Sequence, residues 1–355
     1  MSLFQSVIAF GLSVFILSAV APVSLDSSSD SSQSGGITLV NYCTNIEKCI
    51  KEKSFSKAAN LLKSAIAEHG KDAKLMELKK KWIEADYRNN VINSQSIKKQ
   101  YDRLPDTKKC DPGQLSNESL TYILERLKYY RRLAGVNDSC KFDINLNKKA
   151  QSAALMMEAN QKLSHAPGRQ WKCYNKDGEI AASKSNLSLG YGSVDALTGQ
   201  ITDDGAGNQA CGHRRWILNP LNRVFGLGST DDAMCLYVID TDLNQRTSKD
   251  THPVMWPSAD YFPLKLAPNR WSFSLSDADF TKANVTVMKG KANVPLKKES
   301  VFIGYAMNTL VWQMNGNQDA GQTYDVKINN VIVVNDRGKR VQKTFTYKVM
   351  LLDIK

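Results

Sequence analysis

The spacing of apolar residues changes along the chain, and this change limits the folds that the chain can adopt. Apolar residues recur at helical spacing within residues 42–103, and again within residues 120–134 and 146–163. Every second residue of 345–351 is large and apolar, which is typical of a half-buried strand. The pattern predicts a multi-domain α+β protein with an N-terminal helical segment and a C-terminal β-sandwich.

The length of the chain supports a division into several domains. One hydrophobic core rarely grows beyond about 300 residues, and this chain has 355. Residues 24–36 consist mainly of Ser, Asp, Gln and Gly, which bury too little apolar surface to become ordered. We therefore predict a signal peptide (1–21), a Ser-rich linker (22–40), a helical region (41–112), a central domain (113–245) and an immunoglobulin-like β-sandwich (246–355).

The signal peptide is predicted from an uncharged apolar run at residues 7–21, which ends in small residues. The run is shorter than the roughly 20 residues that a membrane-spanning helix needs. We therefore expect a secreted, extracellular protein. An uncleaved membrane anchor is the alternative, because no Lys or Arg precedes the run and Pro22 directly follows the small residues.

Cysteine usage and charge bear on the compartment and the partners. All seven cysteines follow the apolar run, as expected if they form disulfides in an oxidising compartment, where six can pair and one is left over. The formal net charge is +12, and residues 47–132 hold 20 Lys and Arg against 12 Asp and Glu. Such an excess suits a solvated helix surface and would also attract an anionic lipid or polysaccharide. Nucleic acid is not an expected partner of an exported protein.

Two of the four histidines lie in distinctive blocks of sequence. The first block, residues 146–168, is an amphipathic helix followed by His165. The second, residues 203–220, contains Gly212 and His213 and precedes a predicted strand at 234–239. Together with the intervening SNLSLG, this order of blocks resembles the CAP family of cysteine-rich secretory proteins, antigen 5 and pathogenesis-related proteins. The resemblance covers residues 119–240.

The resemblance implies that the central domain is an α-β-α sandwich in which two histidines and two acidic residues share an open cleft. His165 and His213 would be the cleft histidines, and Ser185 and Asn186 would line the same cleft. Ser185 stands where many relatives carry glutamate, and a hydroxyl is a poorer metal ligand than a carboxylate. We therefore expect no required cofactor, with zinc as an optional ligand of the two histidines.

The second acid of the implied cleft has three candidates, Asp195, Asp203 and Asp204. We favour Asp204, because it opens the run DGAGN that leads to Gly212 and His213.

Two functions from different classes remain open. The first is a non-enzymatic binding protein whose histidine-lined cleft takes a lipid or sterol, a glycan or an extracellular protein. The second is an extracellular hydrolase that uses His165 and His213 as a base or as metal ligands, assisted by Ser185 or Asp204. We favour binding, because the sequence contains no HExxH, GxSxG or Walker motif and no evident nucleophile with an oxyanion hole.

Overall fold

The computed structural model describes residues 37–94, 97–239, 252–335 and 337–355. The predicted signal peptide and most of the predicted linker lie outside the described residues, as does the boundary at 245 between the last two predicted domains. Within the described part of the chain, no helix is both long enough and apolar enough to cross a membrane. Residues Leu39–Lys355 form one compact unit, so the three predicted regions pack together.

The protein is mixed α and β. The α-helices of the described residues are α1 (Leu39–Lys51), α2 (Phe55–His69), α3 (Ala73–Tyr87), α4 (Asn117–Leu133), α5 (Ile144–Asn160), α6 (Lys176–Ser183), α7 (Ser193–Thr202) and α8 (Gly212–Ile217). The strands are β1 (Tyr101–Arg103), β2 (Gln114–Leu115), β3 (Lys141–Phe142), β4 (Ser185–Leu189), β5 (Val224–Ser229), β6 (Ala233–Tyr237), β7 (Val254–Trp256), β8 (Asp260–Pro263), β9 (Arg270–Ser274), β10 (Asn284–Lys289), β11 (Ala292–Asn293), β12 (Leu296–Lys298), β13 (Thr309–Met314), β14 (Thr323–Val334) and β15 (Arg340–Leu352).

The N-terminal helical segment consists of α1, α2 and α3, which bury their apolar faces against one another. Asp72 caps α3 by accepting hydrogen bonds from the backbone N–H groups of Lys74 and Leu75. At the end of α3, the buried Asp86 carboxylate accepts two hydrogen bonds of 2.8 Å from the Arg132 guanidinium of α4. This bidentate buried pair fastens the helical segment to the central domain.

The central domain has helices on both faces of a four-stranded sheet, whose strand order is β3-β5-β6-β4. Helices α5 and α6 cover one face, and α4, α7 and α8 lie against the other. Helix α5 approaches the sheet closely at Gly228 in β5, where an added Cβ would lie 2.1 Å from the carbonyl carbon of Ala150. Only glycine permits this approach, and the result is a three-layer α-β-α arrangement.

The C-terminal region contains two antiparallel-rich sheets, with strand orders β11-β10-β14-β15-β8 and β12-β13-β9-β7. Aromatic rings from the two sheets meet between them. Trp271 of β9 lies 5.7 Å from Tyr324 of β14, and Phe273 of β9 lies 5.0 Å from Phe345 of β15, measured between ring centroids. The alternating residues of 345–351 therefore belong to β15, whose inward side chains pack against the facing sheet.

Disulfide bonding is sparser than the cysteine count suggests. Cys110 and Cys173 form a disulfide. The other five cysteines are unpaired, so the expectation that six would pair is wrong: Cys43, Cys49, Cys140, Cys211 and Cys235. Four of these five are buried, where a thiol packs as a small apolar side chain.

Candidate functional site

His213 is the second residue of α8 and is paired with a buried carboxylate. Its Nδ1 lies 2.8 Å from Oδ1 of Asp203, whose side chain is 0% exposed while that of His213 is 26% exposed. Asp203 ends α7 in the left-handed conformation, which Asp tolerates better than most residues, and this turn aims the carboxylate at α8. An ionised carboxylate only accepts hydrogen bonds, so Nδ1 carries the proton and Nε2 is left as the second nitrogen of the ring.

Arg214 completes this corner of the site. Its backbone N–H donates to Oδ2 of Asp203 at 3.1 Å, so one carboxylate holds two successive residues of α8. Its buried guanidinium donates to the carbonyl oxygens of Ile201 and Thr202 in α7 and of Arg270 in β9. Arg214 therefore ties α8 both to the central domain and to the C-terminal sheets.

Ser185 and Asn186 stand at the start of β4, and both are buried. The Ser185 hydroxyl donates to the carbonyl oxygen of Ala181 at 2.6 Å, which closes the end of α6. The Asn186 amide donates to the carbonyl oxygen of His213 at 3.0 Å. Asn186 thus positions the His213 backbone, whereas the Ser185 hydroxyl serves the helix end.

His165 lies in the loop after α5, and its side chain is exposed. Its Nδ1 lies 2.8 Å from the carbonyl oxygen of Ala182 in α6. A carbonyl oxygen accepts, so Nδ1 again carries the proton and Nε2 is the second nitrogen. Both histidines are therefore bonded to residues 181–186, where α6 passes into β4, although no recorded contact joins their two rings.

The fit of this site to a metal is partial. Each imidazole donates its Nδ1–H to a carboxylate or a carbonyl, which is the usual outer partner of a metal-ligating histidine. No group of three His, Cys, Asp or Glu side chains that could hold a metal ion occurs among the residues described. The Ser185 hydroxyl is already engaged with Ala181.

The acid beside His213 is Asp203, which corrects the preference for Asp204. The Asp204 side chain is exposed, and its backbone carbonyl accepts from the Asn208 amide. Asp195 lies in the first turn of α7.

A contact from the C-terminal region was not foreseen. The Arg215 guanidinium donates to the carbonyl oxygens of Phe302 and Met307, and these bonds hold two points of the loop between β12 and β13. Within this loop, the Tyr305 ring covers Arg215 at 5.4 Å and lies against Gly212. Arg215 and Phe302 are 87 positions apart in sequence, and no local sequence pattern predicts a contact at that separation.

The fold and this corner of side chains define a three-layer α-β-α domain with a carboxylate-paired histidine at one edge of the sheet. The model of the CAP family, described as the cysteine-rich secretory protein family, matches residues 124–239. The chain therefore contains a CAP domain. The match includes His165, Asn186, Asp203 and His213, and leaves the N-terminal helices α1–α3 and the C-terminal sheets outside.

Comparisons over the whole chain add little. No curated protein matches it. The crystal structure of the N-terminal part of the bacterial S-layer protein SbsC matches at 12% identity and a TM-score of 0.21, covering 88% of this chain and 54% of that chain. The structure of surface layer protein SbsC, domains 1-6, matches at 11% identity and a TM-score of 0.21, covering 89% and 46%. The chain thus spans about half the length of these proteins, and at such TM-scores the matches carry no argument.

Proposed function

We propose that this chain is an extracellular, non-enzymatic CAP-domain protein that binds a lipid, a glycan or a protein partner at the edge of the sheet that carries His165 and His213. The observation that supports this most directly is the hydrogen bond between His213 and Asp203. It fixes the imidazole in one tautomer and leaves Nε2 for a ligand, while both oxygens of the Asp203 carboxylate are bonded within the protein.

Binding is favoured over hydrolysis by the state of the nearest nucleophiles. The Ser185 hydroxyl is buried and donates to the Ala181 carbonyl instead of to an imidazole. Burial raises the pKa of the Cys211 thiol, and burial raises the pKa of the Cys235 thiol to about 12. Both thiols therefore stay protonated near neutral pH, where the thiolate would be the reactive form.

The extracellular location rests on sequence and on one structural feature. The uncharged apolar run at residues 7–21 supports secretion, and the matched family is described as secretory. The Cys110–Cys173 disulfide is consistent with an oxidising compartment. We propose that the partner is met outside the cell and that no metal is required for the encounter.

A hydrolase is the second candidate, and the same carboxylate–imidazole pair favours it. A carboxylate behind an imidazole orients a general base, and His213 would then activate a water molecule through Nε2. This role needs no protein nucleophile. The two roles can be told apart because a hydrolase would convert its substrate to product, whereas a binding protein would leave its ligand unchanged.

The experiment compares the wild type with His213→Gln, using His69→Gln as the matched control at an exposed histidine on α2. Binding is measured by calorimetry against cholesterol-containing phosphatidylcholine vesicles, soluble oligosaccharides and peptides. We expect His213→Gln to weaken binding at least about tenfold, or roughly 1.4 kcal/mol. The control should bind as the wild type does.

Hydrolysis is measured on the same panel by product analysis. Turnover that the wild type shows and His213→Gln loses, with an unchanged circular dichroism spectrum, would establish the hydrolase instead. Binding that is equal in all three proteins would exclude His213 from the site.

A further inference from the structure

The positive charge of α3 is neutralised by carboxylates close to its lysines. Most lysines of α3 are close to carboxylates: Lys74 is 3.4 Å from Glu47, and Lys81 is 2.6 Å from Glu77. Lys79 reaches Asp260 of β8 at 2.6 Å. The excess of Lys and Arg counted along residues 47–132 is therefore not one continuous basic face.

A different segment is basic without acidic neighbours in its own sequence. Residues 159–176 contain Lys162, Arg169, Lys172 and Lys176, and no Asp or Glu. Lys176 pairs with Glu179 at 2.8 Å. Lys162, Arg169 and Lys172 are exposed, and none of the described carboxylates forms an ion pair with them. We call residues 160–176 the basic loop.

The basic loop is held in place at three points. The Cys110–Cys173 disulfide ties it to the hairpin of β1 and β2. Asn160 accepts from the Lys172 backbone N–H and donates to its carbonyl oxygen, each at 3.0 Å. The His165 ring is the third point, through its hydrogen bond to Ala182. The cations of the basic loop thus project from a fixed backbone. This lowers the entropy that would be lost when a ligand orders the loop.

An aromatic ring is interleaved with these cations. The Lys162 ammonium lies 5.9 Å from the centroid of the Trp171 ring, and Trp171 itself is half-buried. Arg169 and Lys172 flank Trp171 along the chain. Cations that alternate with a ring suit a polymer in which acidic groups alternate with sugar rings.

We propose that the basic loop binds an acidic polysaccharide, a chain of sugars that carries carboxylate or sulfate groups. A linear polyanion can contact several spaced cations at once, whereas a single small anion would need them to converge. A membrane surface is less suited, because Leu163 is the one large apolar side chain that stands out strongly in the described residues of this loop, and amphipathic membrane binding depends on buried apolar area. The inference goes beyond the proposed function, because it adds a binding surface on the loop that carries His165, separate from the ligand site at His213.

The test uses polygalacturonate as the probe and neutral dextran as its uncharged counterpart. The triple variant Lys162→Gln/Arg169→Gln/Lys172→Gln is compared with Lys51→Gln/Lys57→Gln/Lys63→Gln, which removes the same charge from exposed lysines of α1 and α2. We expect the wild type to bind polygalacturonate and not dextran, and added NaCl to weaken this binding. The basic-loop variant should lose at least about tenfold in affinity, and the control should stay within about twofold.

Several results would overturn the proposal. Equal losses in the two triple variants would mean attraction by net charge alone, and a wild type that does not bind polygalacturonate would remove the site. Tighter binding to phosphatidylserine vesicles than to polygalacturonate, lost in the basic-loop variant, would make a membrane the occupant. His213→Gln separates the two proposals, because it should leave polygalacturonate binding intact even if the ligand site at His213 does not exist.

Discussion

His165 and His213 present the same nitrogen but are held by different means. His213 stands on a helix that buried groups fix: the Asp203 carboxylate, the Asn186 amide and the Arg214 guanidinium. His165 stands on an exposed loop that a disulfide and a few backbone hydrogen bonds fix. One histidine depends on the packed interior of the protein, and the other depends on a covalent tie at its surface.

Because of this difference, substitutions near His213 and near His165 should lower the free energy of unfolding by different amounts. A change near His213 disturbs buried polar groups that were satisfied only by one another, so it should lower the free energy of unfolding of the whole unit. A change in the loop near His165 meets water and should be mild unless it breaks the disulfide. The predictions below test this contrast in order of expected size.

The largest effect is expected for Arg214→Ala. The substitution leaves the carbonyl oxygens of Ile201, Thr202 and Arg270 without their hydrogen-bond donor and creates a cavity. It should therefore lower the free energy of unfolding by about 4 kcal/mol. Arg169→Ala, at an exposed arginine of the basic loop, should change stability by less than about 0.5 kcal/mol. Urea unfolding followed by circular dichroism measures both. Similar losses in the two variants would contradict the contrast between the two sides.

The next effect concerns the Cys110–Cys173 disulfide. Because the bonded residues are 63 apart, replacing both with serine should cost about 2 to 4 kcal/mol, mainly by freeing the unfolded chain. A reductant should lower the thermal midpoint of the wild type and leave that of the double variant unchanged. Cys43→Ser, which removes an unpaired thiol, is the control and should respond to reductant as the wild type does. A wild-type thermal midpoint that does not change with reductant would argue against a stabilising Cys110–Cys173 disulfide.

Much of the architecture was accessible from sequence because it depends on local periodicity. Helical spacing in residues 42–103 predicted the N-terminal helices, which the structure shows as α1, α2 and α3. The alternation in 345–351 predicted β15. The CAP resemblance came from ordered blocks around the two histidines, and the family match over residues 124–239 confirms it.

The contacts within the site were less accessible, because they depend on how distant elements pack. Asp203 and Asp204 are neighbours in sequence, and only the left-handed turn after α7 decides which carboxylate meets His213. The charge count for residues 47–132 could not anticipate that Lys79 pairs with Asp260 from another region. Cysteine pairing failed for a similar reason, since the number of cysteines does not say which of them lie side by side.

A smaller effect is expected for Asp203→Asn. The change removes the charge that accepts from the His213 imidazole and the Arg214 backbone, and should cost about 2 kcal/mol. Asp204→Asn, one residue along and exposed, should stay within about 0.5 kcal/mol. Nitrogen-15 shifts of the His213 ring should report a proton on Nδ1 in the wild type and a mixture of tautomers in Asp203→Asn. The opposite ranking of the two variants would return Asp204 to the site.

The smallest effect is expected for the partly exposed ion pairs that join the helical segment to the C-terminal sheets. Asp260 of β8 bonds to Lys71 and Lys79 of the helical segment, and Asp260→Asn should cost about 1 kcal/mol. Burial of this carboxyl raises its pKa, but the two lysines outweigh burial and hold the pKa below its usual value. A lowered folded-state pKa means that the contribution is complete above the unfolded pKa of about 3.9 and is lost as the pH falls through the folded value.

The difference in urea midpoint between the wild type and Asp260→Asn should therefore be constant from about pH 5 to pH 8 and shrink as the pH falls below the unfolded pKa of about 3.9. High salt should reduce the same difference, because Lys71 is more than half exposed and its attraction to Asp260 is screened. Arg214→Ala should show neither dependence in this range, since the guanidinium is bonded to carbonyl groups that do not titrate. A difference for Asp260→Asn that does not shrink between pH 5 and pH 2.5 would mean that packing, and not charge, joins the helical segment to β8.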